Sequence, residues 1–205
     1  MTLRSITDVQ GLFVGLTKRY FAGIAAQHGM GLGEQIGAIT LRYENQAVRL
    51  SIGLDAVRSF EFVVVVRRLG EGDESQKRPF TLGEILRSQY AEDAVYATAA
   101  TVKSAEDMEA TLYRFSELTE KWASKILDGD EEAFSLLERS RQREADEAPA
   151  RAIIRDCIVT AWHLEDYKKV SSLSKAMRPF LTPRELERWD WSEKYLLEGG
   201  PGAHP

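Results

Sequence analysis

Few side chains in this chain of 205 residues could act as nucleophiles, bases or metal ligands. It has one cysteine, Cys157, and three histidines, His28, His163 and His204. On one helix, Cys157 and His163 point about 120° away from each other, so they do not form a local nucleophile–base pair. The apolar neighbours of Cys157 predict a buried structural thiol.

The densest acidic cluster consists of Asp128, Asp130, Glu131 and Glu132. Its spacing lacks the alternating oxygen ligands, central glycine and closing glutamate of a calcium loop. Gly129 is placed to end one helix, and acids favour the positive N-terminus of the next helix. The cluster therefore predicts helix capping rather than a metal site. Nucleotide, zinc-helix and nucleophile-elbow motifs are missing from the sequence, so no cofactor is predicted.

The net charge is −5, and the acidic excess is central: residues 91–150 carry 7 basic and 15 acidic residues, a net charge of −8. This balance gives no general attraction to nucleic acid or to an anionic membrane. It permits a protein partner with a basic surface, steered by charge and held by aromatic anchors. The residues predicted to bind that partner are five acids and two tryptophans: Asp128, Asp130, Glu131, Glu132, Glu138, Trp189 and Trp191.

The two C-terminal tryptophans are two positions apart, so on one helix they diverge by about 200°. One of Trp189 and Trp191 can enter the core while the other lies nearer the surface, next to Tyr195. Core burial of both between packed helices is the alternative that the sequence favours. Earlier in the chain, Ala161-Trp162 followed by Asp166-Tyr167 resembles a single unit of a helical-hairpin repeat such as the tetratricopeptide.

Three segments within residues 37–69 alternate apolar and polar side chains with the period of a strand. They are Gly37–Glu44, Ala47–Leu54 and Ser59–Leu69. Short polar breaks separate them, which predicts an antiparallel meander.

The segments around the meander have helical periodicity or helix caps. The sequence predicts helices over Thr7 to about Ala26, near Ile85 and Leu86 after Thr81, from Ser104 to about Ile126, over Glu131 to about Glu144, from Pro149 to about His163, over about 165–178 and over 183–197. Residues 91–103 are expected to form a loop.

The fold class predicted is α+β, with an N-terminal helix packed on a small antiparallel meander and a mostly helical C-terminal half. Residues 1–103 form the predicted α+β core, 104–198 a helical region packed on it with a seam near 146–149, and 199–205 a disordered tail. There is no secretory signal and no apolar run of membrane-span length. With a single cysteine, these features predict a soluble, cytoplasmic protein.

The strands Tyr43-Glu44-Asn45, Val48-Arg49-Leu50-Ser51-Ile52 and Phe60-Glu61-Phe62-Val63 follow an opening helix and precede further helices. This order resembles that of uncharacterised bacterial α+β proteins of the toxin-immunity type. The resemblance covers the first third of the chain and contains no diagnostic motif. It implies a non-enzymatic protein-interaction module, such as an immunity-type inhibitor that occludes a basic surface of its target.

The polar side of the meander suggests other interpretations. Alternation places Arg42, Arg49 and Glu61 there, which could serve an acidic partner or nucleic acid. A solvated face, or one tied by cross-strand charge pairs, is the favoured interpretation. Base-stacking aromatics are missing from that side, which argues against nucleic acid.

A second hypothesis is an enzyme with Arg42, Arg49, His163 and Asp166 in a groove between sheet and helices. A third is an assembly subunit that oligomerises through its C-terminal helices.

Overall fold

A computed structural model describes residues 6–33, 39–55, 61–70, 78–89 and 100–198. Its helices are α1 (Ile6–Gln27), α2 (Leu82–Ser88), α3 (Ala105–Leu127), α4 (Glu131–His163), α5 (Tyr167–Met177) and α6 (Pro183–Leu197), with a 3₁₀ helix at Arg178–Phe180. Its strands are β1 (Gly31–Leu32), β2 (Thr40–Glu44), β3 (Val48–Leu54), β4 (Glu61–Arg68), β5 (Phe80–Thr81) and β6 (Ala100–Thr101). This architecture is α+β, as the sequence predicts.

The strands form an antiparallel sheet in the order β1-β2-β3-β4-β5, and β6 pairs with β4 beyond the end of β5. The three predicted strands are confirmed as β2, β3 and β4, with Leu50 lying between Tyr43 and Val66. The two-residue strands β1, β5 and β6 were not predicted, and β6 falls in the segment expected to be a loop. Most of that segment, residues 91–99, lies outside the described residues, as do residues 199–205 of the expected tail.

One side of the sheet is buried against helices. The inward residues of β2, β3 and β4 form a core with side chains from α1, α2, α3 and the first turns of α4. Phe13 of α1 stacks on Phe62 of β4 with ring centroids 5.6 Å apart. From α3, Met108 and Phe115 are fully buried. The alternation of apolar and polar side chains along the strands therefore determines which side of the sheet faces the helices and which faces outward.

The β2–β3 turn is tied to the ends of two helices through Asn45. Its side-chain amide donates to the carbonyls of His28 (3.0 Å) and Leu127 (3.2 Å). Its Oδ1 accepts from the amides of Ala47 (2.9 Å) and Val48 (2.8 Å). One half-buried side chain thus joins the turn to the segments that follow α1 and end α3.

Gly129 ends α3 in the left-handed region, with φ +79°. A Cβ built at this position would lie 2.7 Å from the Cβ of Ala47 in the β2–β3 turn. Glycine is therefore needed here both for the backbone conformation and for the close approach of the turn.

The prediction of two helices separated near residues 146–149 is wrong, because α4 continues through Pro149. A proline in a helix removes one backbone hydrogen bond and crowds the preceding turn. Arg151 stabilises this turn, donating to Glu147 Oε2 at 2.8 Å and to the backbone carbonyl of Glu144. The guanidinium spans the disturbed turn, which explains how the helix tolerates the proline.

The chain divides into two compact units, residues 1–138 and 139–205. The second unit has its own hydrophobic cluster, formed by residues of α4, α5 and the segment before α6: Ile158, Ala161, Val170, Met177 and Leu181. Partly buried residues, among them Trp162 and Trp189, pack against it. The predicted division into an α+β core over residues 1–103 and a helical region over 104–198 stays a prediction.

Candidate functional site

Three of the acids predicted to bind a partner have intramolecular roles. Asp128 Oδ1 lies 2.6 Å from Nδ1 of His28. Asp130 caps α4, accepting from the Ala133 amide at 2.8 Å, as the sequence predicts for this cluster. Glu131 pairs with Arg68. Their charges are thus partly used to hold the α3–α4 connection to the rest of the first unit.

The other two predicted acids, Glu132 and Glu138, lie on the first turns of α4 and are exposed. Glu132 is one residue beyond the Arg68–Glu131 pair. Glu132 is therefore better placed than Asp128, Asp130 and Glu131 to act on a partner without weakening the fold.

The two predicted tryptophans occupy opposite environments on α6. Trp189 packs against the hydrophobic cluster of the second unit, with the Arg178 guanidinium 5.6 Å from its ring centroid. Trp191 points outward and is 45% exposed. This is the divergence that a spacing of two residues predicts on a helix.

Trp191 belongs to a group of four packed rings, the aromatic cluster: Trp162, Tyr167, Trp191 and Tyr195. Trp191 lies 5.5 Å from Trp162, 4.8 Å from Tyr167 and 5.1 Å from Tyr195, measured between ring centroids. Tyr167 also contacts Trp162 at 5.8 Å and Tyr195 at 4.7 Å. Most of these pairs meet edge to face, an arrangement that aromatic quadrupoles favour.

Three helices supply these rings. Trp162 lies in the last turn of α4, Tyr167 is the first residue of α5, and Trp191 and Tyr195 are one turn apart on α6. The tight α4–α5 connection places the first two close together, with Glu165 at φ 57° and Asp166 capping α5 through the amide of Lys169 at 3.1 Å.

The start of α6 is fixed by a capping box, predicted from the sequence, between Thr182 and Glu185. Arg155 of α4 donates to Glu185 at 2.8 Å, which ties α4 to α6. Burial alone would raise the pKa of Glu185. Hydrogen bonds from Thr182 and Arg155 outweigh it, so the pKa lies below its usual value.

The aromatic cluster presents ring surfaces and tyrosine hydroxyls. The ring centroids lie 4.7–5.8 Å apart, and four of the five pairs meet edge to face. The pKa of Tyr167 is raised by partial burial and by Glu165 and Tyr195. Its hydroxyl therefore stays protonated at neutral pH and can donate a hydrogen bond. The cluster offers pre-packed apolar area with polar tips.

The residues of the enzyme hypothesis fall in both units. Arg42 and Arg49 lie on the sheet of the first unit, whereas His163 ends α4 and Asp166 caps α5 in the second.

Cys157 is exposed, so the prediction of a buried thiol is wrong. Its neighbours Ile158 and Ala161 enter the core instead. Within the described ranges, no three His, Cys, Asp or Glu side chains are grouped to hold a metal ion.

The favoured prediction, core burial of both Trp189 and Trp191, is wrong for Trp191, which is 45% exposed. The spacing of the two tryptophans left open which of them would lie nearer the surface. The ring partners Trp162 and Tyr167 were not identified from the sequence. The signal was their position beside the helix junction at Glu165, where the last turn of one helix and the first turn of the next must meet. This signal could be interpreted only once the position of α6 was known, because Trp191 of α6 contacts both rings at the junction.

No protein-family model matches the chain, and no curated protein or solved structure matches it. In the part of the chain that the structure describes, none of the helices combines the length and apolarity needed to cross a bilayer.

Proposed function

We propose that this protein is a non-enzymatic binding module for another protein, and that the aromatic cluster is its anchor. The supporting observation is the packing of two tryptophans and two tyrosines at the surface of the second unit, with Trp191 45% exposed. Tryptophan and tyrosine are the residues that most often carry binding energy in interfaces.

The internal packing of the cluster favours binding. Rings that already contact one another lose little side-chain freedom when a partner covers them. Trp162 is also held by the Arg188 guanidinium, 5.5 Å from its ring centroid. A partner surface with an apolar depression would gain buried area at low entropic cost, and the tyrosine hydroxyls would orient it through hydrogen bonds.

The specific form of this proposal is an immunity-type inhibitor that acts in the bacterial cytoplasm on a basic target. The exposed carboxylates of Glu132 and Glu138 would increase the encounter rate with a positive surface. The aromatic cluster would slow dissociation. The target would be inhibited because the bound module covers its basic active surface.

The test is a pull-down from the source lysate with wild-type protein, Trp191→Ala and a matched control, Tyr113→Ala. Tyr113 is 49% exposed on α3 and lies outside the aromatic cluster. We expect a stoichiometric protein partner that the wild type and the control retain and the Trp191 variant loses. Retention of the same partner by all three proteins would contradict an anchoring role of the cluster.

The charge contribution is tested separately with Glu132→Lys. It should slow association with a basic partner and reduce the salt dependence of its rate, while dissociation changes little. An unchanged association rate and salt slope would rule out steering by this acid. If only copies of the chain itself are retained, the module is an assembly subunit and the inhibitor proposal fails.

A further inference from the structure

A row of exposed residues with two large apolar side chains runs along α4 in the second unit. Its four members are spaced by four, three and four positions, which places them one above another on the helix: Ile153, Cys157, Thr160 and Leu164. Leu164 continues the helical bonding, because its amide donates to the carbonyl of Thr160 at 3.1 Å. All four residues are exposed, Ile153 by 67% and Leu164 by 74%. We call them the α4 row.

The part of α4 that precedes this row is exposed in every direction. Residues 145–150 are all exposed, and six consecutive residues turn through more than a full circle of the helix. Within the ranges that the structure describes, no side of the helix is therefore buried here. The stretch also contains Pro149, which cannot donate a helical hydrogen bond. Because helices in proteins depend mainly on packing for their stability, this stretch would be stabilised by a second helix lying on it.

The sizes of the side chains along α4 are complementary to those of an antiparallel copy of the same helix. A two-fold axis at Cys157 brings residues at equal distances before and after it face to face. Leu164, seven residues after Cys157, then meets Ala150 of the other copy, seven residues before it. Ile153 packs beside Thr160 of the other copy in the same way. Each large apolar side chain thus meets a smaller one, which allows the two helices to approach closely.

The charges at the two ends of the row are complementary in the same arrangement. Asp146 lies seven residues before Ile153 and so continues the row, whereas Lys168 follows the α4–α5 connection at the other end. Both are exposed, and neither forms an ion pair within the described residues; Asp146 accepts a hydrogen bond from Gln142 Nε2 at 2.9 Å. An antiparallel second copy brings Asp146 toward Lys168, whereas a parallel copy brings like charges together.

We infer that the α4 row binds the same row of a second copy of this chain, in an antiparallel homodimer. An unrelated partner would explain the exposed row but not its self-complementary order of sizes and charges. Trp162 lies nine residues after Ile153, so it points about 180° away from the row on the same helix. The dimer therefore leaves the aromatic cluster uncovered and presents two of them, which goes beyond the function proposed above.

The first test measures the molar mass of the full chain by light scattering, from dilute to concentrated protein. We expect a reversible dimer that Leu164→Glu weakens by about 100-fold or more, because a buried leucine is lost from both copies. The matched control is Leu197→Glu, which changes an apolar residue that is 86% exposed on α6. It should alter dimerisation less than about twofold. Circular dichroism checks that both variants are folded.

Charge reversal tests the orientation of the two helices. Asp146→Lys and Lys168→Asp should each weaken the dimer by about tenfold, and the double variant should recover most of that loss. Asp146 is about 27 Å from the end of the row at Leu164, so the recovery cannot come from a contact inside one copy. An effect on folding alone would not be reversed by the second substitution.

Cys157 is the single cysteine of the chain, so it reports the position of the axis. A short bis-maleimide should link two copies of the wild type, but not of Cys157→Ser, and Leu164→Glu should lose the link at the same protein concentration. The inference fails if the chain is monomeric at the highest concentration, if Leu164→Glu and Leu197→Glu behave alike, or if the double charge variant does not recover. Such a failure leaves the anchoring role of the aromatic cluster untouched, because the pull-down with Trp191→Ala tests that role separately.

Discussion

Replacing Asn45 with alanine removes the side chain that joins the β2–β3 turn to the segments after α1 and at the end of α3. Four hydrogen bonds are lost at once, two donated and two accepted, with lengths between 2.8 and 3.2 Å. The variant leaves two carbonyls and two amides to find water or to remain unpaired. We expect the first unit to be destabilised without loss of the second.

The magnitude follows from the number of bonds and their burial. Each intramolecular hydrogen bond contributes about 0.5–1.5 kcal/mol, so four give about 2–6 kcal/mol. Asn45 is half-buried, and water can replace part of the loss, which places the expected destabilisation near 3 kcal/mol. A loss of this size corresponds to about a 150-fold decrease in hydrogen-exchange protection for amides that exchange by unfolding of the unit.

Hydrogen exchange followed by mass spectrometry is the appropriate assay, because it reports each unit through its own peptides. Peptides from β3 and β4 should lose protection in Asn45→Ala, and peptides from α5 and α6 should not. Gln46→Ala, an exposed change in the same turn, is the matched control. Protection of β3 within about fivefold of the wild type would refute the structural role given to Asn45.

Three further substitutions and one labelling experiment test other features. Gly129→Ala should destabilise the first unit by about 2 kcal/mol or more, because it combines a positive φ with a clash against Ala47; an unchanged denaturation midpoint would contradict this. Pro149→Ala should stabilise α4 by up to about 3 kcal/mol, seen as a higher midpoint in circular dichroism. Glu185 has a lowered pKa, so its stabilisation is present above the unfolded value and is lost as pH falls below 4.5. In Glu185→Gln, tryptophan fluorescence should show weaker acid sensitivity. Cys157 should react with a disulfide reagent in the absence of denaturant.

The central strands were predictable because alternation is a local signal. Apolar residues occupy every second position of β2, β3 and β4. Leu41, Leu50 and Val64 are examples, and all three are buried in the folded protein. Strands of two residues, such as β5, carry too few side chains for any period to show. Strands β5 and β6 form because β4 presents an edge to which segments later in the chain can bond, which is a property of the folded sheet.

The α4 helix shows a different limit. Proline disfavours the interior of a helix, so Pro149 indicates a helix boundary. The hydrogen bonds of Arg151 and the helix-forming residues on either side stabilise α4 enough to continue through it. The spacing of Trp189 and Trp191 predicted that they diverge but not which one is exposed, and the contacts of Trp191 with Trp162 and Tyr167 depend on the packing of three helices. The acids were recognised as capping residues, but the pairing of Glu131 with Arg68 required the tertiary structure.

The outer edge of β4 has a consequence for synthesis of the chain. This strand contains the run Phe62–Val66, and its outer edge is paired by two short strands that lie later in the sequence, β5 at Phe80–Thr81 and β6 at Ala100–Thr101. A nascent chain therefore exposes an apolar, strand-prone edge on the ribosome until residues 80–101 have emerged. Fragments that end before β5 should aggregate through this edge, so expression trials should keep residues 61–101 together.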